Sequence, residues 1–237
     1  MERNQWQNAA AALPATYEML QTAHTGRFAS VCYIRHYGRY LRADKGWQPR
    51  LRSVVGSSRT LEVLGVRVRN PLATLTILQG NRALTTAPAH LSAVHGDLHP
   101  KNVLVGGVRK TCLIDFGWAC DSFHTVVDYA FMEASIKFFR LPWHCSRSEL
   151  VAFEKGLCDT SGLDLIPRNR TLRGGLTTVT MIRNLAVKYM DSNDEQWFVR
   201  QYLVPLFLIT CGLFPYAATV TNLEHLLLSA GLLAERI

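Results

Sequence analysis

Apolar residues recur along this chain at two different intervals, and the switches between them outline the elements. Over Leu13–Ala23 and Phe28–Ala43 they fall three and four positions apart, which predicts helices. Thr60–Val68, rich in Val and Leu, predicts a strand that Asn70-Pro71 breaks. Leu72–Leu78 suits strand or helix, and the "TTAPAHLS" that follows has the polar and proline content of a connection. In the middle, Asn102–Val105 and Val108–Ile114 are short β-branched runs around Gly106-Gly107. That dipeptide enters positive φ without steric cost and predicts a tight hairpin. After Ser122 the helical interval returns to the end of the chain. Capping boxes at Ser146/Glu149, Ser192/Glu195 and Thr221/Glu224 each precede an apolar run. No internal repeat, low-complexity tract or composition shift marks a linker.

A length of 237 residues with 48% hydrophobic and 19% charged content predicts a globular chain with a substantial buried core and excludes a disordered one. The net charge of +8 is uneven: residues 1–110 carry a balance of +10 and residues 111–237 a balance of −2. Arg35, Arg39 and Arg42 recur at helical spacing and read as one basic stripe. No aromatic-and-basic recognition motif surrounds them, so nucleic acid is not an expected partner. The uncharged run Gln201–Leu223 has the length of a membrane span, but Pro205, Gly212 and Pro215 interrupt it. A buried helix with a break explains it, and a membrane is not expected either. Cys32, Cys112, Cys120, Cys145, Cys158 and Cys211 form no C-x-x-C pair, which argues against a zinc site or a disulfide framework. With no signal-type N-terminus, the expected location is the cytoplasm.

The candidate chemistry lies in "HGDLHPKNVLV", His95–Val105, and "CLIDFGWAC", Cys112–Cys120. The hairpin puts Asp97 and Asn102 just before its first strand and Asp115 at the end of its second, so the three can converge. Phosphoryl transfer needs a carboxylate to orient and deprotonate the attacking hydroxyl, and oxygen ligands to hold magnesium against the phosphates. His95-Gly96-Asp97 followed by Asn102 reproduces the His-x-Asp-x4-Asn spacing of a kinase catalytic loop, and Asp115-Phe116-Gly117 the second metal signature. His95 and His99 read as hydrogen bonders that position the loop, since magnesium prefers oxygen and two histidines make a poor zinc site.

On these residues the sequence resembles the aminoglycoside phosphotransferase and choline-kinase-like families of the protein-kinase-like superfamily. His95, Gly96, Asp97, Leu98, His99, Pro100 and Asn102 all agree with their His-Gly-Asp-Leu-His-Pro-x-Asn phrase. The resemblance implies that Asp97 is the catalytic base, that Asn102 and Asp115 are the Mg2+ ligands, and that Asp128, in "VVDYA", supports the loop. It implies Mg2+ and ATP as cofactors and a small-molecule hydroxyl as substrate. The phrase "VVDYAFMEASIKFF" is also faintly similar to phosphotransferase-like domains of large bacterial signalling or conflict-system proteins, some described as ternary-complex-associated domains; that similarity carries no functional expectation.

The resemblance covers about Ala89 to Phe138. Ahead of it there is no glycine-rich phosphate loop and no Val-Ala-x-Lys phrase, and Lys45 is the only lysine before the motif. The expected fold is therefore α+β: a protein-kinase-like C-lobe, mostly α-helical, with a small catalytic β-hairpin. Residues 1–88 form a mostly helical basic segment and residues 89–237 the phosphotransferase-like core with its C-terminal helices. The N-lobe contacts to nucleotide would come from a longer polypeptide, from a partner chain or from arginine-rich helices. The alternative to an enzyme is a truncated or degenerate kinase-like domain that serves as a non-catalytic interaction module.

Overall fold

The computed structural model describes residues 2–41, 47–106, 110–141, 145–158, 167–191, 194–216 and 218–237. Three small antiparallel sheets sit among helices, an α+β arrangement dominated by helix. The first sheet has the order β1 (Arg27–Cys32), β4 (Thr86–Val94), β7 (Cys120–His124). β2 (Thr60–Val63) pairs with β3 (Val66–Arg69), and β5 (Val103–Gly106) with β6 (Lys110–Leu113).

Two expectations about the central sheet are corrected. Phe28–Ala43 is not one helix: β1 occupies its start, followed by the short helices α2 (Tyr33–His36) and α3 (Gly38–Leu41). Phe28, Val31 and Cys32 fall at the helical interval, but pairing with β4, from Arg27↔Leu91 to Cys32↔Thr86, decides for the strand by satisfying the backbone along its length. The "TTAPAHLS" stretch is not a connection but most of β4. Its buried positions are Ala87, Ala89 and Ser92, so a low apolar content hides an inward face. Pro88 is tolerated because β7 pairs with β4 only from Leu91 onward, leaving this portion with β1 alone on its flank.

Elsewhere the corrections are smaller. Thr60–Val68 is two strands, turned at Leu64-Gly65, both at positive φ. Pro71–Gly80 is helix α5, capped by Asn70, whose side chain accepts from Leu72 N–H. The expected hairpin forms, with Gly106 a strand residue opposite Lys110; Gly107 of the expected turn and Val108 at the start of the expected second strand lie outside the described residues. Of the capping boxes, Ser146/Glu149 is present, with Ser146 Oγ accepting from Glu149 N–H at 3.3 Å. Ser192 lies outside the described residues. At Thr221/Glu224 the cap is Asn222, which accepts from His225 N–H, because an Asx oxygen one residue on reaches the orphan amide.

The remaining helices are α1 (Glu2–Gln21), α4 (Trp47–Val55), α6 (Arg82–Thr85), α7 (Val127–Phe139), α8 (Arg147–Cys158), α9 (Arg170–Ala186), α10 (Glu195–Phe198), α11 (Val204–Gly212) and α12 (Leu223–Arg236). One apolar cluster runs from Leu13 in α1 to Ala234 in α12, so residues 1–88 and 89–237 share a core. The Gln201–Leu223 run supplies α11 to that core. The helical stretch 195–216 is long and apolar enough to cross a bilayer, and 72% of its most apolar window is buried inside the protein. The core also holds a charge network: Glu133 with Arg183 (2.7 Å), and Lys137 with Glu154 (2.9 Å), Glu154 also meeting His225 Nε2 at 2.6 Å.

Candidate functional site

β4 delivers the chain to His95 and stops there, because Gly96 turns it with φ of +79°. Only glycine suits the place: a Cβ would lie 2.3 Å from the Trp118 carbonyl oxygen and 2.7 Å from the Arg39 guanidinium, in addition to the left-handed backbone. The turn rests on Asp128, at the start of α7. One carboxylate oxygen accepts from His95 N–H at 2.9 Å and the other from Gly96 N–H at 2.8 Å. His24 Nε2, 3.2 Å from the first oxygen, completes the shell of a carboxylate that is wholly buried. Three donors offset the desolvation of the charge, and two of them fix the loop.

The other end of the loop is tied to the hairpin. Asn102 is buried; its Nδ2 donates to the Asp97 carbonyl at 3.0 Å and its own carbonyl accepts from Ile114 N–H at 3.1 Å. His95 Nε2 meets the carbonyl of the same Ile114 at 2.9 Å and must donate there, which leaves Nδ1 to accept from Asp97 N–H. Both backbone polar groups of Ile114 are therefore held immediately before Asp115. Asp115 itself follows β6 at φ of +63°, in the left-handed region that Asp tolerates better than most side chains, and it is exposed. The loop carrying Asp97 and Asn102 is thus bonded to the residue that precedes Asp115. His99 Nε2 stands 3.9 Å from Asp97 Oδ2, beyond hydrogen-bond distance.

Two residues that sequence reasoning missed support this loop from behind. Tyr40 O–H donates to the Gly96 carbonyl at 2.5 Å and accepts from Arg39 at 2.8 Å. Burial pushes the Tyr40 phenol well above its ordinary range, so it remains a donor. Arg39 is not part of a solvated stripe: its guanidinium lies over the rings of Phe123 (4.4 Å), Tyr40 (4.9 Å) and Trp118 (5.4 Å). Arg42 lies outside the described residues. Nothing in the local pattern marks Arg39 and Tyr40 as supports of the loop, since Gly96, Trp118 and Phe123, which they meet there, lie more than fifty positions away in sequence.

Asp97, about a quarter exposed, opens on a cleft of about 420 Å³ between the loop, α7 and α11. Tyr40, Trp118, Phe131 and Phe139 give it apolar walls, and Lys101 and Arg140 also line it. The donor set at the hairpin is all oxygen: two carboxylates and an amide whose nitrogen is already committed to Asp97. That set suits a hard cation such as Mg2+. Among the described residues no three His, Cys, Asp or Glu side chains gather as a metal-holding group, so Asn102 would be needed as the third ligand. Lys45 lies outside the described residues.

Fold and site together define an α+β domain with a buttressed acidic loop beside a cleft. A family model described as ternary complex associated domain 9 matches residues 7–214, and the chain belongs to that family. Comparison with curated proteins and with solved structures returns no match.

Proposed function

We propose that this domain is a kinase-like phosphotransferase, its helical bulk corresponding to the C-lobe, that moves the γ-phosphate of ATP to a hydroxyl of a small molecule. One observation supports the reading: the Asp128 carboxylate fixes the loop that carries Asp97 on an open cleft, and Asn102 and His95 tie that loop to the Ile114 backbone immediately before Asp115. Asp97 orients the acceptor hydroxyl and takes its proton. Asn102 and Asp115 offer oxygen donors to the metal. Bound magnesium and ATP supply charge neutralisation and the transferable group. The six free thiols suit a reducing compartment, which we take to be the cytoplasm.

Asp97→Asn is expected to abolish transfer of labelled phosphate from ATP while leaving the circular dichroism spectrum and melting temperature close to those of the parent. Asp115→Ala is expected to weaken nucleotide binding only when Mg2+ is present. Full activity in both variants excludes the role assignment.

A second reading, a non-catalytic module that binds a partner, is favoured by the missing nucleotide lysine and by the family's description as associated with a ternary complex. Titrating Mg-ATP against thermal stability separates the two, since a ligand that prefers the folded state raises its melting temperature. No rise at millimolar ATP selects the module.

A further inference from the structure

The cleft beside Asp97 has a charge pattern that bears on what enters it. Among the described residues that line it Asp97 is the only carboxylate, whereas Lys101 and Arg140 both line it. Lys101 sits on the short turn Pro100–Asn102 and Arg140 at the C-cap of α7, so the two cations come from different elements of its wall. Among the described residues neither side chain has a hydrogen bond or ion pair. The walls between them are aromatic: Tyr40, Trp118, Phe131 and Phe139. A cationic guest would meet two like charges and compete with them for Asp97. An anionic guest would pair with both, and a flat apolar body would cover the rings.

We propose that the cleft takes an anionic alcohol: a flat, apolar or aromatic body with a hydroxyl directed at Asp97 and a carboxylate or phosphate directed at Lys101 and Arg140. The hydroxyl rests on the phosphotransfer reading; the anion and the apolar body rest on the cleft alone. Polycationic or quaternary-ammonium acceptors are disfavoured by the same charges.

The test measures equilibrium binding of four probes by calorimetry, without nucleotide and at fixed low ionic strength. They are para-hydroxymethylbenzoate, para-hydroxymethylphenyl phosphate, the neutral para-hydroxymethylbenzamide and the cationic para-aminomethylbenzyl alcohol. Both anions are expected to bind about tenfold more tightly than the cation, with the amide between; the tighter of the two anions identifies the source. In the double variant Lys101→Glu/Arg140→Glu, two exposed positions whose change leaves the melting temperature nearly unmoved, the order is expected to invert. A cation that binds as tightly as the anions, an order unchanged in the variant, or no binding by any probe overturns the proposal. Binding in the expected order without transfer of label from ATP keeps the anion site and removes the phosphotransferase. Transfer of label to the aminomethyl alcohol in preference to the benzoate does the reverse.

Discussion

Asp128 sits beneath Gly96 with one carboxylate oxygen on the Gly96 amide at 2.8 Å and the other on the neighbouring His95 amide at 2.9 Å. A side chain at the first turn of a helix thereby sets the backbone of a loop thirty-two positions earlier. Replacement by Asn keeps the size but exchanges one acceptor for a donor that faces an N–H. The buried amide then loses its partner, at about 2–4 kcal/mol. For a chain of this size Asp128→Asn is expected to lower the melting temperature by roughly 5–15 °C. An unchanged melting curve removes Asp128 from its role under the loop.

Gly96→Ala meets two penalties at once, the left-handed backbone and a Cβ 2.3 Å from the Trp118 carbonyl. The backbone term alone is about 1–2 kcal/mol, and relief of the clash has to move Trp118, a wall of the cleft. We expect a destabilised protein whose Trp118 fluorescence, isolated in a background with the other tryptophans replaced, shifts. Retention of parental stability and emission excludes the tight turn.

Lys137 is held by Glu154 at 2.9 Å and Ser229 at 2.7 Å, and all three are buried. Lys137→Met strands the Glu154 charge with only His225 beside it and is expected to cost about 3–5 kcal/mol in denaturant unfolding. The double variant Lys137→Met/Glu154→Gln is expected to recover part of that loss, because the unpaired charge goes with the lysine. Simple additivity of the two single losses shows that the pair is not coupled.

Acid is expected to act on stability in two stages. Burial, reinforced by Arg39, lowers His36 from 6.5 to about 4, and its Nε2 accepts from His124 N–H at 3.0 Å. Burial likewise depresses His124. Between about pH 6.5 and 4 the unfolded chain binds protons that the folded one refuses, so stability falls as pH falls through that window. Burial raises Glu154, but Lys137 and His225 outweigh it and hold the group at about 2 against an ordinary 4.5. Its contribution is complete above pH 4.5 and disappears as pH drops toward 2. Denaturant midpoints across pH 2–8 check both stages; His36→Gln, which keeps an acceptor for His124 N–H, is expected to weaken the upper one. A midpoint that stays level from pH 8 to 4 contradicts the histidine part.

What the sequence determined alone were features carried by neighbours in the chain: the helices after β7, the Ser146/Glu149 cap, the two short strands of the β5–β6 hairpin and the His95–Asn102 phrase. Each rests on short-range stereochemistry or on a side chain reaching a few residues along. Tertiary structure decided the rest. Only pairing with a distant strand makes Arg27–Cys32 and the alanine-rich Thr86–Val94 strands, since the apolar spacing of the first suits a helix and the second has few large apolar residues to show a period. Likewise, nothing local marks Arg39, Tyr40 and His24 as supports of the loop. Burial and long-range hydrogen bonds give those residues their roles, and such bonds exist only once the chain has closed on itself.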